Sequence, residues 1–148
     1  MKIVRCIRKN RFMIAFLLII VLLLIVIVGL FRVDNSTNLM IIEYMDELGW
    51  EIDHNPSEIS HLTVPGKFDA VYRAYNDIQK TAGFDLEDFG GKKVTRYSYR
   101  VLNHKHSKDM AVFANIFVYE NIIIAGDISS PDENGFIHST GDVSFIEE

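Results

Sequence analysis

Three of the five histidines are the side chains of this chain with the greatest capacity to bind a metal ion. His104 and His106 are one residue apart, so both imidazoles would lie on the same side of an extended segment. Zinc would need a third and a fourth ligand, and Asp109, Asp127 or His138 could supply them. The surrounding stretch, NHKHSKD, also has the composition of a solvated loop. We favour the loop, and we therefore expect neither a metal ion nor another cofactor.

Asp127 is a second candidate, because it ends the most apolar strand of the sequence, which reads IIIAGDI. Its carboxylate could belong to a site at the strand end, or it could cap the following turn through Ser129 and Ser130, and we favour the cap. A small hydrolase of the cell envelope would combine Asp127, His138 and a nearby acid. The sequence contains no G-x-S-x-G, P-loop, H-E-x-x-H or C-x-x-C motif, and its single cysteine is Cys6. We therefore expect no catalytic residues.

Tyrosines form the third group of candidates, because tyrosine combines an apolar face with a polar tip. They could line a groove for a carbohydrate or a peptide, or they could be core residues with their hydroxyl groups at the rim. These tyrosines favour a non-catalytic binding or sensing module over an enzyme. The candidate surface or pocket residues are Tyr72, Tyr75, Tyr97, Tyr99, Asp127 and His138.

The segment 12–31, FMIAFLLIIVLLLIVIVGLF, carries no charged or amide side chain. It is the element that would determine where the rest of the chain lies in the cell. As a helix it would be about 30 Å long, which is the hydrocarbon thickness of a bilayer. Residues 1–11 contain five basic side chains and no acid, and short basic flanks stay in the cytoplasm. We therefore expect a single-pass protein of the cell membrane, with a cytoplasmic N-terminus and its C-terminal domain outside.

A cleaved signal peptide is the alternative for the same segment, because it also begins with a basic region and an apolar run. We favour an uncleaved anchor, since the run is longer than the usual 7 to 15 or so residues and no pair of small residues follows it. The segment would then be followed by a linker at 32–38, a domain at 39–140 and an acidic tail at 141–148.

The charge beyond the apolar segment limits the possible partners. The part of the chain after residue 31 holds all twenty acidic side chains and only ten basic ones. Its formal charge of −10 would repel the phosphates of nucleic acid. We expect the membrane and an unknown protein or envelope component as partners instead. An accessory subunit of a membrane complex is the alternative function, and it would use the apolar segment itself as an interface.

Hydrophobic periodicity predicts a simple order of elements after the linker. A tight hairpin at Glu120-Asn121 would join the last two strands. Sequential antiparallel strands with grouped helices predict an α+β domain of two layers, in which two helices pack on one face of an antiparallel sheet. The predicted helices are 37–48 and 68–82, with an extra turn at 84–89, and the predicted strands are 50–53, 58–64, 94–102, 111–119 and 122–128.

The second predicted helix has a continuous apolar face. Gln79 lies near the middle of that face, where a buried amide needs hydrogen-bond partners. The apolar face of the helix comprises Phe68, Val71, Tyr72, Tyr75, Ile78 and Ala82.

In the segment that follows the predicted strand 122–128, we expect Phe136 and Ile137 to dock on the domain.

Several short motifs give the chain a family resemblance. The run YN-x-x-Q-x-x-x-GFDL begins at Tyr75, a Y-x-Y pair follows at Tyr97 and Tyr99, and GDIS precedes a later GF-x-H. Between Met45 and His138 the chain resembles a family of short, membrane-anchored proteins of Gram-positive, clostridial-type bacteria, which is catalogued as a domain of unknown function. The hairpin lacks the glycine expected in that family, and the tail after His138 diverges. The resemblance implies an anchored architecture and no particular activity.

Overall fold

A computed structural model of the chain describes residues 16–25 and 36–147. The chain divides into two compact units, Met1–Thr37 and Asn38–Glu148. Residues 16–25 of the first unit are helical, and all their side chains are exposed. Among the residues so described, no helix combines the length and the apolar character that crossing a bilayer requires.

The ends of the predicted membrane span lie outside the described residues, since the segment 12–31 extends beyond 16–25 on both sides. The same holds for the basic flank at 1–11 and for the first part of the linker. The second unit is described from its first residue up to residue 147, and the predicted elements can be compared with it directly.

The second unit contains a five-stranded antiparallel sheet within residues 36–147, in which each strand pairs with the next one along the chain. Helix α1 covers residues 36–47, of which 38–47 belong to this unit, and helix α2 is Ala70–Lys80. Short 3-10 helices follow at Leu86–Phe89 and Val143–Phe145. The predicted antiparallel α+β class is therefore confirmed. The strands are β1 (Glu58–Thr63), β2 (Lys93–Arg100), β3 (Phe113–Tyr119), β4 (Ile122–Ser129) and β5 (Ile137–Ser139).

The turn between β3 and β4 explains why these strands form a hairpin without a glycine. Glu120 and Asn121 have φ angles of 46° and 66°, which is the left-handed conformation that a two-residue hairpin turn requires at both central positions. The twist of such a turn matches that of the flanking strands. The predicted tight hairpin is confirmed.

The sheet is covered on both faces. The first face carries Ala114 and Ile116 of β3, which pack with Ile41 of α1 in one hydrophobic cluster. The second face carries Phe117, which packs in another cluster with Leu86 and with the partly buried Tyr75 of α2. The prediction of two layers, with both helices on one face, is therefore wrong. Because β3 is apolar on both faces, each face needs a cover of its own.

Helix α2 begins later than predicted and buries a different side. Asp69 caps it by accepting a 2.8 Å hydrogen bond from the backbone N–H of Tyr72. Val71, which the periodicity placed in the core, is 75% exposed, whereas Asn76 and Gln79 are buried. The apolar pattern misplaced this face because two amides make specific hydrogen bonds there.

The Gln79 side chain accepts a hydrogen bond from the edge of β4 at the point where β5 ends. Strand β5 pairs only with the segment 127–129 of β4. Gly126, the residue of β4 just before that segment, donates its backbone N–H to Oε1 of Gln79 at 2.8 Å. A side chain of α2 thus supplies the acceptor that another residue of β5 would have supplied. Helix α2 is held against this edge of the sheet as a result.

Two further differences concern the ends of the predicted sheet. The predicted strand at 50–53 is reduced to a single bridge between Ile52 and Val101, although Trp50 and Ile52 are buried as the alternation indicated. Ile59 of the predicted strand 58–64 is 53% exposed, and β1 lies at the edge of the sheet. The docking segment around Ile137 forms the short strand β5.

Candidate functional site

A row of polar side chains crosses the second face of the sheet. Strand register places Glu58 opposite Ser98, Ser98 opposite Asn115, Asn115 opposite Asp127, and Asp127 opposite Ser139. Directly paired residues of neighbouring strands point to the same side, so these five positions form one line across all five strands. We call this line the polar row.

In the middle of the polar row, hydrogen bonds are donated from Ser98 to Asn115 and from Asn115 to Asp127. Ser98 Oγ donates to Asn115 Oδ1 at 2.7 Å, and Asn115 Nδ2 donates to Asp127 Oδ1 at 2.8 Å and to Ser129 Oγ at 2.9 Å. From α2, the hydroxyl of Tyr75 donates to Asp127 Oδ2 at 2.6 Å. Asp127 therefore accepts from Tyr75 of α2 and Asn115 of β3, and a hydrogen bond with Ser129 of its own strand also lowers the pKa of its carboxyl group.

Burial controls the ionisation of the two central groups. Asp127 is only 3% exposed, and this burial raises the pKa of its carboxyl group, while the hydrogen bonds from Tyr75 and Asn115 oppose the rise. The pKa of the Tyr75 hydroxyl is raised by burial and, to a lesser degree, by the charge of Asp127. Tyr75 consequently remains a neutral hydrogen-bond donor at physiological pH.

A cleft of about 470 Å³ lies above this network, between α2 and the second face of the sheet. A smaller cleft of about 290 Å³ adjoins it and shares Arg96, Asn115 and Ser129 with it. The walls of the larger cleft are mainly apolar, and its floor includes Asn115 and Asp127 of the polar row. The residues that line it include Leu62, Val64, Val71, Tyr72, Phe117 and Ile137, with Tyr75, Arg96 and Asp127.

Arg96 lines both clefts, although the sequence did not single it out as a candidate. Its Nη2 donates to Glu58 Oε1 at 2.8 Å, and its Nε is buried without a hydrogen-bond partner among residues 36–147. Its positive charge also lowers the pKa of Asp127, although less than the hydrogen bonds do. Arg96 and Ser98 are two residues apart on β2 and therefore share a face, but only the strand register brings Arg96 beside Asp127.

The candidate tyrosines separate onto the two faces of the sheet. Tyr72 and Tyr75 line the cleft. Tyr99 is fully buried on the first face, where its hydroxyl donates to Asn38 Oδ1 at 2.7 Å, and Tyr97 packs against the same cluster. The four tyrosines therefore do not form one surface.

His138 lies on the opposite face of the sheet from Asp127. It is paired with Ile128 across β4 and β5, whereas Asp127 is paired with Ser139. Adjacent residues of a strand point to opposite sides, so Asp127 and His138 cannot face one another across a single pocket. A hydrolase that combines these two residues has no structural basis.

His138 instead forms a hydrogen-bonded pair with His104. The backbone N–H of His106 donates to His104 Nδ1 at 3.1 Å, so the hydrogen of the neutral His104 ring is on Nε2. That atom lies 3.3 Å from His138 Nε2, which accepts, and His138 Nδ1 donates to the carbonyl of Ser139 at 2.9 Å. The rings stack with Phe136 and Phe145.

This histidine pair belongs to the core. His104 is fully buried, and burial lowers the pKa of its imidazole to about 4, with a further contribution from the charge of His138. The His104 ring also stacks on Trp50, and the His138 ring is tilted against it. Within the part of the chain that the structure describes, no three histidine, cysteine, aspartate or glutamate side chains are placed to hold a metal ion together.

Comparison with known proteins gives one match. Neither a curated protein nor a solved structure matches the chain. The domain of unknown function DUF4830 matches residues 44–128, which is more than half of the sequence and includes β1 to most of β4, helix α2 and Arg96. The expected resemblance to a domain of unknown function is thereby confirmed, and the chain belongs to the DUF4830 family.

Proposed function

We propose that this chain is a membrane-anchored protein whose second unit binds a ligand or a partner in the larger cleft without catalysing a reaction. The observation that supports this proposal is the construction of the cleft. Its floor holds the hydrogen-bonded pair Asn115 and Asp127, while apolar side chains remain exposed at its mouth, including Val71 at 75% and Ile137 at 45%. Clefts of this composition and of about 300 to 1,000 Å³ are typical of small-molecule sites.

The hydrogen bonds and the burial of the Asp127 carboxylate favour binding over catalysis. A general base must reach a proton of the substrate, and a nucleophile must reach an electrophilic atom. Both oxygens of Asp127 already accept hydrogen bonds from Tyr75 and Asn115, and the side chain is almost completely buried. The carboxylate thus serves to fix the floor of the cleft and the position of α2.

Membrane anchoring is the second part of the proposal. The uncharged segment 12–31, with five basic residues before it and all acidic residues after it, supports an anchor whose N-terminus is cytoplasmic and whose second unit lies outside the cell membrane. We expect alkaline phosphatase fused to the C-terminus to be active. If green fluorescent protein in the same position is fluorescent and the phosphatase is silent, the proposed topology is wrong.

Site-specific photocrosslinking in living cells tests the binding surface. A photoreactive amino acid at Val71, at the mouth of the cleft, should give a discrete adduct on the full chain. The control position is Ile122, which is 64% exposed on the β3–β4 hairpin and does not line the cleft. Adducts at both positions alike, or at neither, would contradict the proposal. Discrete adducts only from positions in the segment 12–31 would favour the alternative of an accessory subunit.

A further inference from the structure

We infer that the ligand of the larger cleft is a single-chain amphiphile with one negatively charged head group, a long-chain carboxylate. The carboxylate would be bound by Arg96, and the apolar chain would lie between α2 and the end of β1. This inference rests on the proposed binding function and specifies the ligand class.

The hydrogen-bonding capacity of the floor identifies the head group. The network of the polar row ends on Asp127, so its donors point inward and are already used. Arg96 is different, because a guanidinium has five N–H donors and only Nη2 is hydrogen-bonded among the described residues. The buried Nε of Arg96 lacks an acceptor among the described residues, and a carboxylate matches a guanidinium in both charge and planar geometry.

The charges around Arg96 indicate a single negative charge on the ligand. Glu58 and Asp127 both lie close enough to interact with the guanidinium. A doubly charged head group would meet repulsion from these two acids, whereas a single carboxylate can replace Glu58 as the partner of the one cation. The side chain of Glu58 is 59% exposed, so it can move into solvent when another acceptor takes its place.

The walls of the cleft indicate the apolar part of the ligand. Leu62 and Val64, at the end of β1, form one wall, and Val71 and Tyr72 of α2 form the other, with Phe117 between them. Val71 is exposed, although burial of such a side chain would be worth about 1.5 to 3 kcal/mol. An alkyl chain that covers it would gain part of that free energy, whereas a sugar would not.

Photoaffinity labelling with a lauric acid analogue that carries a diazirine and an alkyne tests this inference. The full chain is reconstituted in phosphatidylcholine nanodiscs, labelled, and digested for mass spectrometry. We expect labels on peptides that contain Ala70–Lys80 or Glu58–Thr63. Unlabelled dodecanoate should compete about tenfold or more better than dodecanol, because the alcohol lacks the charge-assisted hydrogen bond. Dodecyltrimethylammonium should not compete at these peptides.

Arg96→Gln is the decisive variant, and Arg100→Gln is its matched control on the same strand and outside both clefts. Labelling should fall about tenfold or more in Arg96→Gln and should be unchanged in Arg100→Gln. Arg96→Lys, which keeps the charge, should retain an intermediate level. Equal thermal midpoints for the variants and the parent would exclude unfolding as the cause of the loss.

Two results would overturn the ligand class. One is labelling confined to the segment 12–31, and the other is cleft labelling that is equal in the Arg96→Gln variant and the parent. If the amphiphile fails in this way but the photocrosslinker at Val71 still gives its discrete adduct, the binding function stands and the ligand belongs to another class. If both fail, the cleft is not a binding site.

Discussion

The hydroxyl of Tyr75 donates a 2.6 Å hydrogen bond to Oδ2 of Asp127, and this bond joins helix α2 to strand β4. Tyr75→Phe removes the donor and leaves a buried carboxylate oxygen without that partner. We expect the free energy of unfolding to fall by about 1 to 3 kcal/mol. Urea unfolding followed by tryptophan fluorescence measures the change, since Trp50 is fully buried.

Tyr72→Phe is the control for this substitution, because Tyr72 lies on the same helix and is 37% exposed. It should change stability by less than about 0.5 kcal/mol. Equal effects of the two substitutions would show that the bond between Tyr75 and Asp127 does not hold the helix.

Gln79→Ala should expose the edge of β4 that α2 covers. The substitution removes the oxygen that accepts from the backbone N–H of Gly126, and it leaves a buried donor unpaired. We expect a loss of about 1 to 3 kcal/mol. Hydrogen exchange measures it locally, since the Gly126 amide should lose more protection than the amides of β3. Thr81→Ala, an exposed change at the helix end, should leave that amide protected, and unchanged protection in Gln79→Ala would contradict the assignment.

The lowered pKa of the His104 imidazole predicts a loss of stability in mild acid. Burial lowers its pKa from 6.5 to about 4 in the folded chain, so between these values the unfolded state binds a proton that the folded state does not. The free energy of unfolding should therefore fall as pH decreases through this window, by up to about 1.4 kcal/mol per pH unit. Above pH 6.5, this histidine should contribute no pH dependence.

The contribution of His104 can be separated from that of the acids by comparing the parent with His104→Phe. Asp127 has the opposite dependence, since its pKa is raised, but it is present in both proteins. The difference between the two pH curves should have the slope stated above. Nuclear magnetic resonance titration of the His104 imidazole gives an independent value, and a midpoint near 6.5 would contradict the buried, neutral ring.

Glu120→Gly should stabilise the chain. Glu120 has a φ of 46°, and the left-handed conformation costs a residue with a β-carbon about 1 to 2 kcal/mol. Glycine adopts it freely, although part of the gain is lost to the greater entropy of the unfolded chain. We expect a net gain of about 0.5 to 1 kcal/mol in thermal or urea unfolding. Glu133→Gly, at an exposed position without a positive φ, should give no gain, and an equal gain there would contradict the explanation.

The second unit should fold without the first. A fragment of residues 36–148 retains both hydrophobic clusters and has no cysteine, so it requires no disulfide. We expect one cooperative thermal transition, with a midpoint that a chelator does not change. A fall of several degrees with the chelator would indicate that His104 and His138 bind a metal ion after all.

Local features of the sequence were sufficient for the order and the approximate bounds of most elements. The helical period near Ile41, the continuous apolar run of β3 and the polar pair at Glu120-Asn121 each depend on neighbours within a few residues. Because the run of β3 is apolar on both faces, each face needs a cover, and the two-layer prediction provided a cover for one face only. Strand β5 was missed because three residues are too few to establish an alternation.

The face of α2 could not be read from hydrophobicity. Asn76 accepts from the backbone N–H of Leu86 and donates to Asp85, and Gln79 accepts from Gly126. These amides are buried because their partners come from a 3-10 turn and from a strand 47 residues away. No periodicity within the helix contains that information.

The sequence by itself determined which residue types this chain offers: an uncharged apolar segment, an acidic domain without cysteine, and one aspartate at the end of an apolar strand. The tertiary structure decided which of them meet. Asp127 and His138 are separated by the pleat of the sheet, while Tyr75 and Arg96 come to Asp127 through helix packing and strand register. The physical reason is that a shift of one residue in register moves a side chain to the other face, and register is set by pairing between strands far apart in the chain.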